Sequence, residues 1–351
     1  MSNSDFSQYL IEIINAGSLS LMLSIGHRTK IFDVMAELAS SSTVQEIASK
    51  SNLNERYVKE WLGAMVTGNI VDYDSATNKF SLPKEKAQYL TREKSVYNFA
   101  ASMQWIPVLS QIEDEIISCF EKGGGVPYSS YKRFHEVMAE ESYQTVVAAL
   151  IDHILPLVPN LIDKLKNGIK VLDIGCGKGK AVNVMANHFK NSNFYGYDLS
   201  QQAIDDAKIE AQMMGNSNAF FQVHDILGLN FNEKYNLITA FDAIHDQPDP
   251  YSVLKSIYDS LDDKGIFLMQ DILASTPLKD NIGHPLGPFL YTISCLHCVS
   301  VSLSQNGAGL GAMWGKEKAV EMLNDTGFTK VEVKKLPHDF QNYYYIAYKN
   351  K

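Results

Sequence analysis

A glycine-rich loop behind a short apolar strand constrains the fold of this chain more than any other segment. Residues 169–173 predict a β-strand, and Gly175, Gly177 and Gly179 follow it before a predicted helix. Glycine adopts left-handed backbone conformations freely and lets a ligand come close to the main chain. The spacing, Asp-x-Gly-x-Gly-x-Gly, differs from the Gly-x-Gly-x-x-Gly of dinucleotide-binding loops. Asp173, at the end of this strand, is therefore expected to face an ammonium group and not a pyrophosphate.

Strands and helices alternate along the second half of the chain. The predicted strands cover residues 169–173, 193–198, 219–225, 235–241, 265–271, 330–336 and 343–349. This alternation favours a parallel sheet with helices on both faces, and the last two strands are expected to form a hairpin at its edge. The predicted fold class is α/β, with a Rossmann-like seven-stranded sheet. Ligands of such sheets bind at the carboxyl ends of the strands.

Acidic residues stand at the ends of three successive predicted strands. Asp173 ends the first, Asp198 ends the second, and Asp225 ends the third with Ile226 after it. Asp198 is placed to accept hydrogen bonds from two ribose hydroxyls. Asp225 is placed to accept one from an adenine amino group, with Ile226 against the ring. Three carboxylates in this register suit a cationic nucleoside that carries no phosphate.

The same segments resemble the class I methyltransferases that use S-adenosylmethionine (SAM). Residues 171–179 are similar to their first motif, 195–200 to the acidic second-strand motif, 224–227 to the adenine motif and 241–246 to the fourth-strand motif. The resemblance implies SAM as the cofactor and S-adenosylhomocysteine (SAH) as its product. The cofactor-binding residues that it implies are Asp173, Gly175, Cys176, Gly177, Asp198, Leu199, Asp225, Ile226 and Phe241.

A closer resemblance covers nearly the whole chain. Residues 133–140, 294–302 and 307–315 are similar to a subfamily of these enzymes that carries an N-terminal winged-helix domain. That subfamily is typified by a mycobacterial methyltransferase of unassigned substrate. The resemblance implies a helical winged-helix domain in front of the class I methyltransferase sheet.

The first third of the chain is predicted to be mostly helical. Residues 43–82 have the pattern of a helix, a turn, a second helix and a small hairpin, which is the order of a winged helix. Residues 43–90 hold six Lys or Arg and six Asp or Glu, so the unit lacks the basic surface of a DNA-binding module. We therefore predict a dimerisation and lid domain over residues 1–122, a SAM-binding domain over residues 123–351, a homodimer, and no nucleic-acid partner.

Composition and hydropathy favour a cytoplasmic protein. The formal net charge is −9, and an acidic surface repels phosphate backbones. Asn15, Gly17 and Ser18 interrupt the apolar stretch over residues 10–25, so we expect it to be too short and too polar for a membrane span or signal peptide. The four cysteines are then expected to be reduced, and no membrane partner is expected.

Cys295 and Cys298 raise the question of a metal or redox site. A structural zinc site usually needs two such pairs, and the sequence has a single Cys-x-x-Cys. No cluster of carboxylates and histidines has ligand spacing along the sequence. We therefore predict buried thiols near a pocket and no metal.

His245, a few residues beyond the fourth strand, is the candidate catalytic residue at the acceptor end. Residues 245–249 resemble the His-Asp-Trp-Ser-Asp segment of plant-type O-methyltransferases, in which the histidine is the general base, although this sequence lacks the tryptophan. Asp271, at the end of the fifth strand, matches the carboxylate that orients that histidine. The candidate substrate-binding residues are His135, Tyr291, His297 and Trp314.

The predicted reaction is methyl transfer from SAM to an oxygen or sulfur atom of a small-molecule acceptor. Three alternatives stay open, one of which is an inactive scaffold that binds SAM without turnover. A thiol has a pKa of about 8.5 and ionises with little help, so a thiol-specific enzyme would not require His245 as a base. Alternatively, the winged helix binds DNA and the SAM fold acts as the sensor of a regulator.

Overall fold

The computed structural model describes residues 3–38, 40–92, 98–225, 233–337 and 339–349. The chain forms two compact units, one of Met1–Gln111 with Glu136–Gln144 and the other of Ile112–His135 with Thr145–Lys351. This division differs from the boundary between residues 122 and 123 that the sequence suggested. That boundary stays a prediction of where the domains meet.

A stretch that is distant in sequence, Glu136–Gln144, completes the first unit. Glu140 connects this stretch to the rest of the first unit. Nε2 of His27 lies 2.7 Å from Oε1 of Glu140, and the side chain of Gln104 donates to Oε2 of Glu140 at 2.8 Å. Buried polar groups are stable when they are paired, so these contacts hold the stretch within the first unit. A single boundary along the sequence cannot describe a unit that is made of two separate segments of the chain.

The first unit has the order of the predicted winged helix. Its elements are α1 (Asn3–Arg28), α2 (Ile31–Glu37), α3 (Val44–Ser51), α4 (Glu55–Thr67), β1 (Asp72–Asp74), β2 (Lys79–Ser81), α5 (Lys84–Ala87), α6 (Phe99–Ser102) and α7 (Trp105–Leu109). A capping box begins α3: Oγ1 of Thr43 accepts from the backbone of Glu46, whose carboxylate accepts from the backbone of Thr43. The buried side chains of α4 are those of Val58, Trp61, Leu62 and Met65.

Helix α1 is longer than the sequence suggested. It continues through Asn15, Gly17 and Ser18, and the hydroxyl of Ser18 donates to the carbonyl of Ile14 at 2.8 Å, which satisfies the polar side chain within the helix. By length and composition, the helices Asp5–Arg28 and Gly287–Ser304 could each cross a membrane. The expectation that the N-terminal stretch is too short and too polar is therefore wrong. The absence of a membrane partner stays a prediction.

The second unit alternates helices with strands. Its α-helices are α8 (Glu113–Lys122), α9 (Phe134–Thr145, which continues into the first unit), α10 (Leu161–Asn167), α11 (Lys180–His188), α12 (Gln201–Met213), α13 (Pro250–Ser260), α14 (Gly287–Ile293), α15 (Val299–Ser304) and α16 (Gly315–Asp325). Short 3₁₀ turns lie at Tyr128–Ser130, Val147–Ala149, Leu155–Leu157 and Leu278–Asn281, and a further one, Ser110–Ile112, contains the boundary at Gln111. Single π-helical turns lie at Leu150–Ile154 and Ser294–Cys298.

Seven strands form one sheet in the second unit. They are β3 (Lys170–Ile174), β4 (Asn193–Asp198), β5 (Ala219–Val223), β6 (Tyr235–Phe241), β7 (Leu261–Ile272), β8 (Lys330–Leu336) and β9 (Asp339–Tyr348). The strand order is β5-β4-β3-β6-β7-β9-β8, parallel from β5 to β7, with β9 antiparallel to both of its neighbours. This confirms the predicted seven-stranded sheet of the class I methyltransferase fold. The chain order reverses beside β3, which is where such sheets bind their ligands.

Both faces of the sheet are covered, as a parallel sheet requires. Val171 points into an apolar cluster with Val182 of α11, whereas the next residue, Leu172, belongs to a cluster with Leu254 of α13. Successive strand residues point to opposite faces, so β3 contributes to both cores. This double burial holds the carboxyl end of β3 rigidly in place for the glycine loop that follows.

Candidate active site

The glycine loop between β3 and α11 has the left-handed backbone that its sequence predicts. Gly175, Gly177 and Gly179 have φ angles of +65°, +52° and +66°. A Cβ on Gly175 would lie 2.7 Å from the Cβ of Ala243, so space as well as backbone conformation requires glycine there. The thiol of Cys176 lies in the same loop, and burial raises its pKa well above the usual range. The loop therefore presents main chain and not reactive side chains.

Asp198, the last residue of β4, holds this loop. One of its carboxylate oxygens accepts a hydrogen bond from the backbone of Gly177 and the other from the backbone of Ser200, both at 2.8 Å. Each carboxylate oxygen has a second lone pair, so each can also accept a hydroxyl. The two ribose hydroxyls predicted for Asp198 fit this geometry, and the side chain of Leu199 is exposed beside it.

Asp173, near the end of β3, is the buried member of the three acids. Its carboxylate accepts a hydrogen bond from Thr239 at 2.6 Å. Burial raises the pKa of Asp173 to about 7, and the charge of Asp198 adds to the shift. A nearby cation favours the charged form of such a carboxyl, so Asp173 suits an ammonium group.

The third acid, Asp225, follows β5 and has an exposed side chain. Next to it, the ring of His224 is stacked on that of Tyr197, with 5.2 Å between the centroids. Ile226 lies outside the described residues. Phe241 ends β6 and packs against the core. β5 ends at Val223, so the expectation that Asp225 ends the third strand is wrong. Since β3, β4 and β5 are neighbours in the sheet, their carboxyl ends lie at one edge, and the cofactor roles of these residues stay predictions.

His245 and Asp271 form the predicted pair at the acceptor end. Nδ1 of His245 lies 2.8 Å from Oδ1 of Asp271, and both residues are buried. The same oxygen accepts from the indole N–H of Trp314 at 3.0 Å and from the backbone of Ile272 at 2.8 Å. Asp271 therefore fixes the imidazole ring and leaves Nε2 to face other groups. Trp314 lies behind Asp271, and its predicted contact with substrate stays a prediction.

Asp246 lies close to the other nitrogen of the His245 ring. Its Oδ1 is 3.2 Å from Nε2 of His245, yet this oxygen accepts no hydrogen bond from any residue that the structure describes. Burial lowers the pKa of His245, but the carboxylates of Asp271 and Asp246 outweigh burial and hold the pKa well above its usual range. The two carboxylates thus favour a proton on the ring, and the base role of His245 stays a prediction.

His297, in the π-helical turn Ser294–Cys298, lies in the same part of the site as Asp246. Its ring is stacked on that of Phe134, with 3.8 Å between the centroids, and its Nδ1 lies 3.8 Å from Oδ2 of Asp246. Burial lowers the pKa of His297 to about 4, so the ring is neutral. Its Nε2 is buried and has no hydrogen-bond partner within the described ranges. This predicted substrate residue therefore lies beside the catalytic candidates.

Tyr128 lines this part of the site and was not predicted from the sequence. Its ring centroid lies 4.9 Å from that of His135 and 5.5 Å from that of His297. Burial raises the pKa of Tyr128 well above the usual range, and the charges of Asp246 and Asp198 add to the shift. The tyrosine is therefore near both ends of the site. The sequence offered only a turn after a run of glycines, which has no chemical signature.

Tyr291 lies on α14, the helix that leads to the π-helical turn. Its ring is 37% exposed, and its hydroxyl accepts a hydrogen bond from Asn281 at 3.2 Å. The structure thus gathers His135 and His297 around Tyr128, whereas Tyr291 has a polar partner of its own. Its contact with substrate stays a prediction.

Cys298 forms a cluster with His245 and Asp246. One possible ligand atom from each of the three lies within 4.8 Å of the other two. Burial raises the pKa of Cys298 to about 12. The expectation that no cluster has ligand spacing is therefore wrong for the folded chain, because the fold brings Cys298 to a histidine–aspartate pair that is far away in sequence.

Asp242, directly after β6, belongs to a second such cluster with His245 and Asp271. Its φ of +50° is in the left-handed region, which is uncommon for residues other than glycine and is often found at functional sites. Burial raises the pKa of Asp242 to about 8, and the charge of Asp271 adds to the shift. The strained turn after β6 thus directs the chain toward His245.

Two protein families match this chain. Residues 17–92 match the Rv2258c-like winged HTH domain, and residues 165–327 match a methyltransferase domain. Together with the observed sheet, these matches confirm the resemblance that the motifs indicated. The chain carries a class I methyltransferase domain behind an Rv2258c-like winged helix-turn-helix domain.

Curated relatives and solved structures agree with this assignment. The ubiquinone biosynthesis O-methyltransferase of Nitrosomonas europaea is 30% identical over 134 residues, which are 37% of this chain and 49% of that protein. The chain thus spans about half the length of such relatives. Human N-acetylserotonin methyltransferase in complex with SAM has a TM-score of 0.72 at 15% identity and covers 100% of both chains. The mitomycin 7-O-methyltransferase MmcR has a TM-score of 0.70 at 12% identity and covers 98% of both. These structures establish the fold.

Proposed function

We propose that the protein transfers the methyl group of SAM to an oxygen or sulfur atom of a small molecule and releases SAH. The observation that carries the proposal is the glycine loop tied to Asp198, in the same unit as the buried His245–Asp271 pair. The loop and its acids suit a cationic nucleoside, and the pair suits the activation of a nucleophile. The methyltransferase match over residues 165–327 and the SAM-bound human relative support this cofactor.

Methyl transfer from a sulfonium is an in-line displacement, so the acceptor atom must lie opposite the departing sulfur. Asp173 holds the ammonium group of SAM in this proposal, and Asp198 holds its ribose. For a hydroxyl acceptor, Nε2 of His245 takes the proton while Asp271 orients the ring. For a thiol acceptor no base is required, because the thiolate forms readily near neutral pH.

Methyl-group tracing tests the proposal. The protein is incubated with methyl-labelled SAM and a cell extract that is then separated into small-molecule, protein and nucleic-acid fractions, with Asp198→Ala as the blank. Label in the small-molecule fraction that is absent from the blank is the expected result. Label in protein or nucleic acid would contradict a small-molecule acceptor. SAM binding without transfer to any fraction would favour the sensor alternative.

We propose that the protein is a homodimer that pairs through α1. The exposed apolar side chains of this helix are Phe6, Tyr9, Leu10, Ile11, Ile13, Ile14, Leu21 and Ile25. Large exposed apolar patches mark interaction sites. Light scattering should give twice the mass of one chain, and the double substitution of Ile11 and Ile14 by Asp should give the monomer. A wild-type monomer that floats with lipid vesicles would show that this face meets a membrane.

We propose that the winged helix serves this assembly and binds no DNA. On α4, Arg56 is paired with Glu60 and both side chains are exposed, so the cationic charge is offset on the helix surface. Duplex DNA bound at physiological ionic strength, and released as salt rises, would support the sensor alternative. The cytoplasmic location stays a prediction.

A further inference from the structure

We propose that His245, Asp246 and Cys298 bind one thiophilic divalent cation of the zinc type, and that this cation holds the sulfur of a thiol acceptor. The inference rests on the proposed function, because it names the class of acceptor and the way in which that acceptor is activated. In this arrangement His245 is a metal ligand and not a base.

The three side chains converge at coordination distances. A ring nitrogen of His245, a carboxylate oxygen of Asp246 and Sγ of Cys298 all lie within 4.8 Å of one another. Tetrahedral zinc has bonds of about 2.0–2.3 Å, which places neighbouring ligand atoms about 3.3–3.7 Å apart. The distance of 3.2 Å between Nε2 of His245 and Oδ1 of Asp246 is already of this size. Small side-chain shifts therefore close the cluster around a cation.

The contact between His245 and Asp246 is close without being a hydrogen bond. Oδ1 of Asp246 is buried and accepts no hydrogen bond from the residues that the structure describes, although Nε2 of His245 is 3.2 Å away. Binding a cation requires the neutral imidazole, because the cation replaces the proton on Nε2. In that form Nδ1–H is donated to Asp271, and Nε2 carries a lone pair that faces the lone pairs of the carboxylate. A cation between these two atoms removes the repulsion and satisfies the buried oxygen.

Nδ1 of His245, the ring nitrogen opposite the proposed metal position, has the carboxylate partner that metal-binding histidines usually have. Nδ1 lies 2.8 Å from Asp271, and Trp314 holds the same carboxylate oxygen at 3.0 Å. A histidine that ligates a metal almost always donates its other N–H to such a group, which sets the tautomer and aims the lone pair. The pair that resembles a base and its orienter is thus equally a carboxylate–histidine–metal arrangement.

The donor set selects the cation and its substrate. Imidazole and thiolate ligands favour Zn²⁺ over Mg²⁺ or Ca²⁺, which take oxygen ligands. Three protein ligands leave one tetrahedral position for an exogenous group, as in catalytic zinc sites. A soft cation prefers sulfur at that position. Cys298 is only 4% exposed and lies beside His297, so the position is sheltered from bulk water.

The chemistry balances without a further reagent. The acceptor thiol loses its proton to water when its sulfur binds the cation. An electron pair of that sulfur then forms the new carbon–sulfur bond to the methyl group of SAM. The old bond from the methyl carbon to the sulfonium breaks, and its electron pair stays on the departing sulfur. The products are SAH and a thioether, which is a weaker ligand and leaves the cation.

Cobalt binding tests the cluster independently of turnover. The full chain is treated with a chelator, desalted and titrated with Co²⁺ alone. We expect one equivalent to bind, with visible bands of tetrahedral cobalt and a near-ultraviolet thiolate-to-cobalt band. Cys298→Ser should remove the thiolate band. Asp271→Asn should lower the affinity about 10–100-fold but keep that band at saturation. Cys295→Ser is the matched control and should leave the spectrum unchanged.

Two results would overturn the inference. For the Co²⁺ titration, these are no stoichiometric Co²⁺ binding by a wild-type protein that binds SAM, and a thiolate band that persists in Cys298→Ser. Methyl transfer by metal-free protein at the full rate would also overturn it, while the proposed function would stand. Co²⁺ binding with the expected spectrum and no methyl transfer to any extract fraction would instead retain the metal site and contradict the proposed function.

Discussion

The cofactor end and the acceptor end of the site are built in different ways. The cofactor end takes its residues from the ends of neighbouring parallel strands, where sheet topology alone brings them together. The acceptor end combines Asp271 of strand β7 with residues from loops and helices that meet it only in the folded chain, namely residues 128–135, 245–246 and 297–298. Local sequence thus encodes the shared cofactor, and long-range packing encodes the choice of acceptor. Substitutions at one end should therefore leave the other end unaffected.

The largest effect is expected from His245→Gln. If His245 removes a proton or ligates a cation, its loss should lower the rate of methyl transfer about 10²–10⁴-fold. The affinity for SAM should not change, because His245 belongs to the acceptor end. Transfer rates and calorimetric SAM titrations measure the two quantities, and His188→Gln on the exposed end of α11 is the control. A rate close to wild type would rule out both roles of His245.

The substitution Asp198→Ala should instead lower the affinity for SAM. The carboxylate accepts two backbone hydrogen bonds, and hydrogen bonds to charged groups are worth about 1.5–3 kcal/mol each. The alanine also has no oxygen to accept the ribose hydroxyls, so SAM should bind about 100-fold more weakly. Asp205→Ala, an exposed acid on α12, should bind SAM as wild type does. An unchanged affinity in Asp198→Ala would remove the basis of the proposed cofactor end.

SAM affinity should depend on pH through Asp173. Its pKa of about 7 lies above the usual value, so the neutral acid predominates at lower pH, whereas the ammonium group of SAM favours the carboxylate. The affinity should therefore fall as pH decreases below about 7, by up to tenfold per unit, and level off above it. Asp173→Asn keeps an oxygen for Thr239 but has no charge. Its affinity should be low at every pH, and a wild-type profile equally flat would contradict the prediction.

The smallest difference is expected between Gly175→Ala and its matched control, Gly215→Ala. Both glycines have positive φ, +65° and +68°, but only the Cβ at Gly175 would meet Ala243, at 2.7 Å. A left-handed alanine costs about 1–2 kcal/mol, and overpacking adds about 1–3 kcal/mol. Denaturant titrations should give a larger loss of unfolding free energy for Gly175→Ala. Equal losses would show that the loop yields to the added methyl group.

The sequence predicted the fold and the cofactor end because both depend on local patterns. Strand periodicity, the glycine spacing and the capping box at Thr43 each act within a few residues. The His245–Asp271 pair was predicted from the resemblance to plant-type O-methyltransferases, and the neighbouring positions of β6 and β7 in the sheet bring the two residues together. The proximity of Asp246 and Cys298 was not predicted, because their separation in the sequence does not indicate that a helix brings Cys298 back to the edge of the sheet.

Helix α1 shows the limit of local patterns in the first unit. Asn15, Gly17 and Ser18 interrupt the apolar stretch of the sequence, which was therefore expected to be too short and too polar for a membrane span. Their intrinsic cost is small, so a long helix tolerates them, and the hydroxyl of Ser18 is satisfied by a carbonyl one turn earlier. The exposed apolar side chains of α1 therefore extend along the helix, and a short sequence window does not reveal them.

The π-helical turn Ser294–Cys298 makes the acceptor end sensitive to the loss of one residue during evolution. Such a turn arises when an α-helix gains one residue, and one residue corresponds to a rotation of about 100° around the axis. Loss of a single codon would keep the helix but turn Cys298 away from His245. The glycine loop would be unaffected, so the descendant would still bind the same cofactor. If the proposed cation site is correct, the length of this helix should separate sequences that keep the cluster from sequences that lose it.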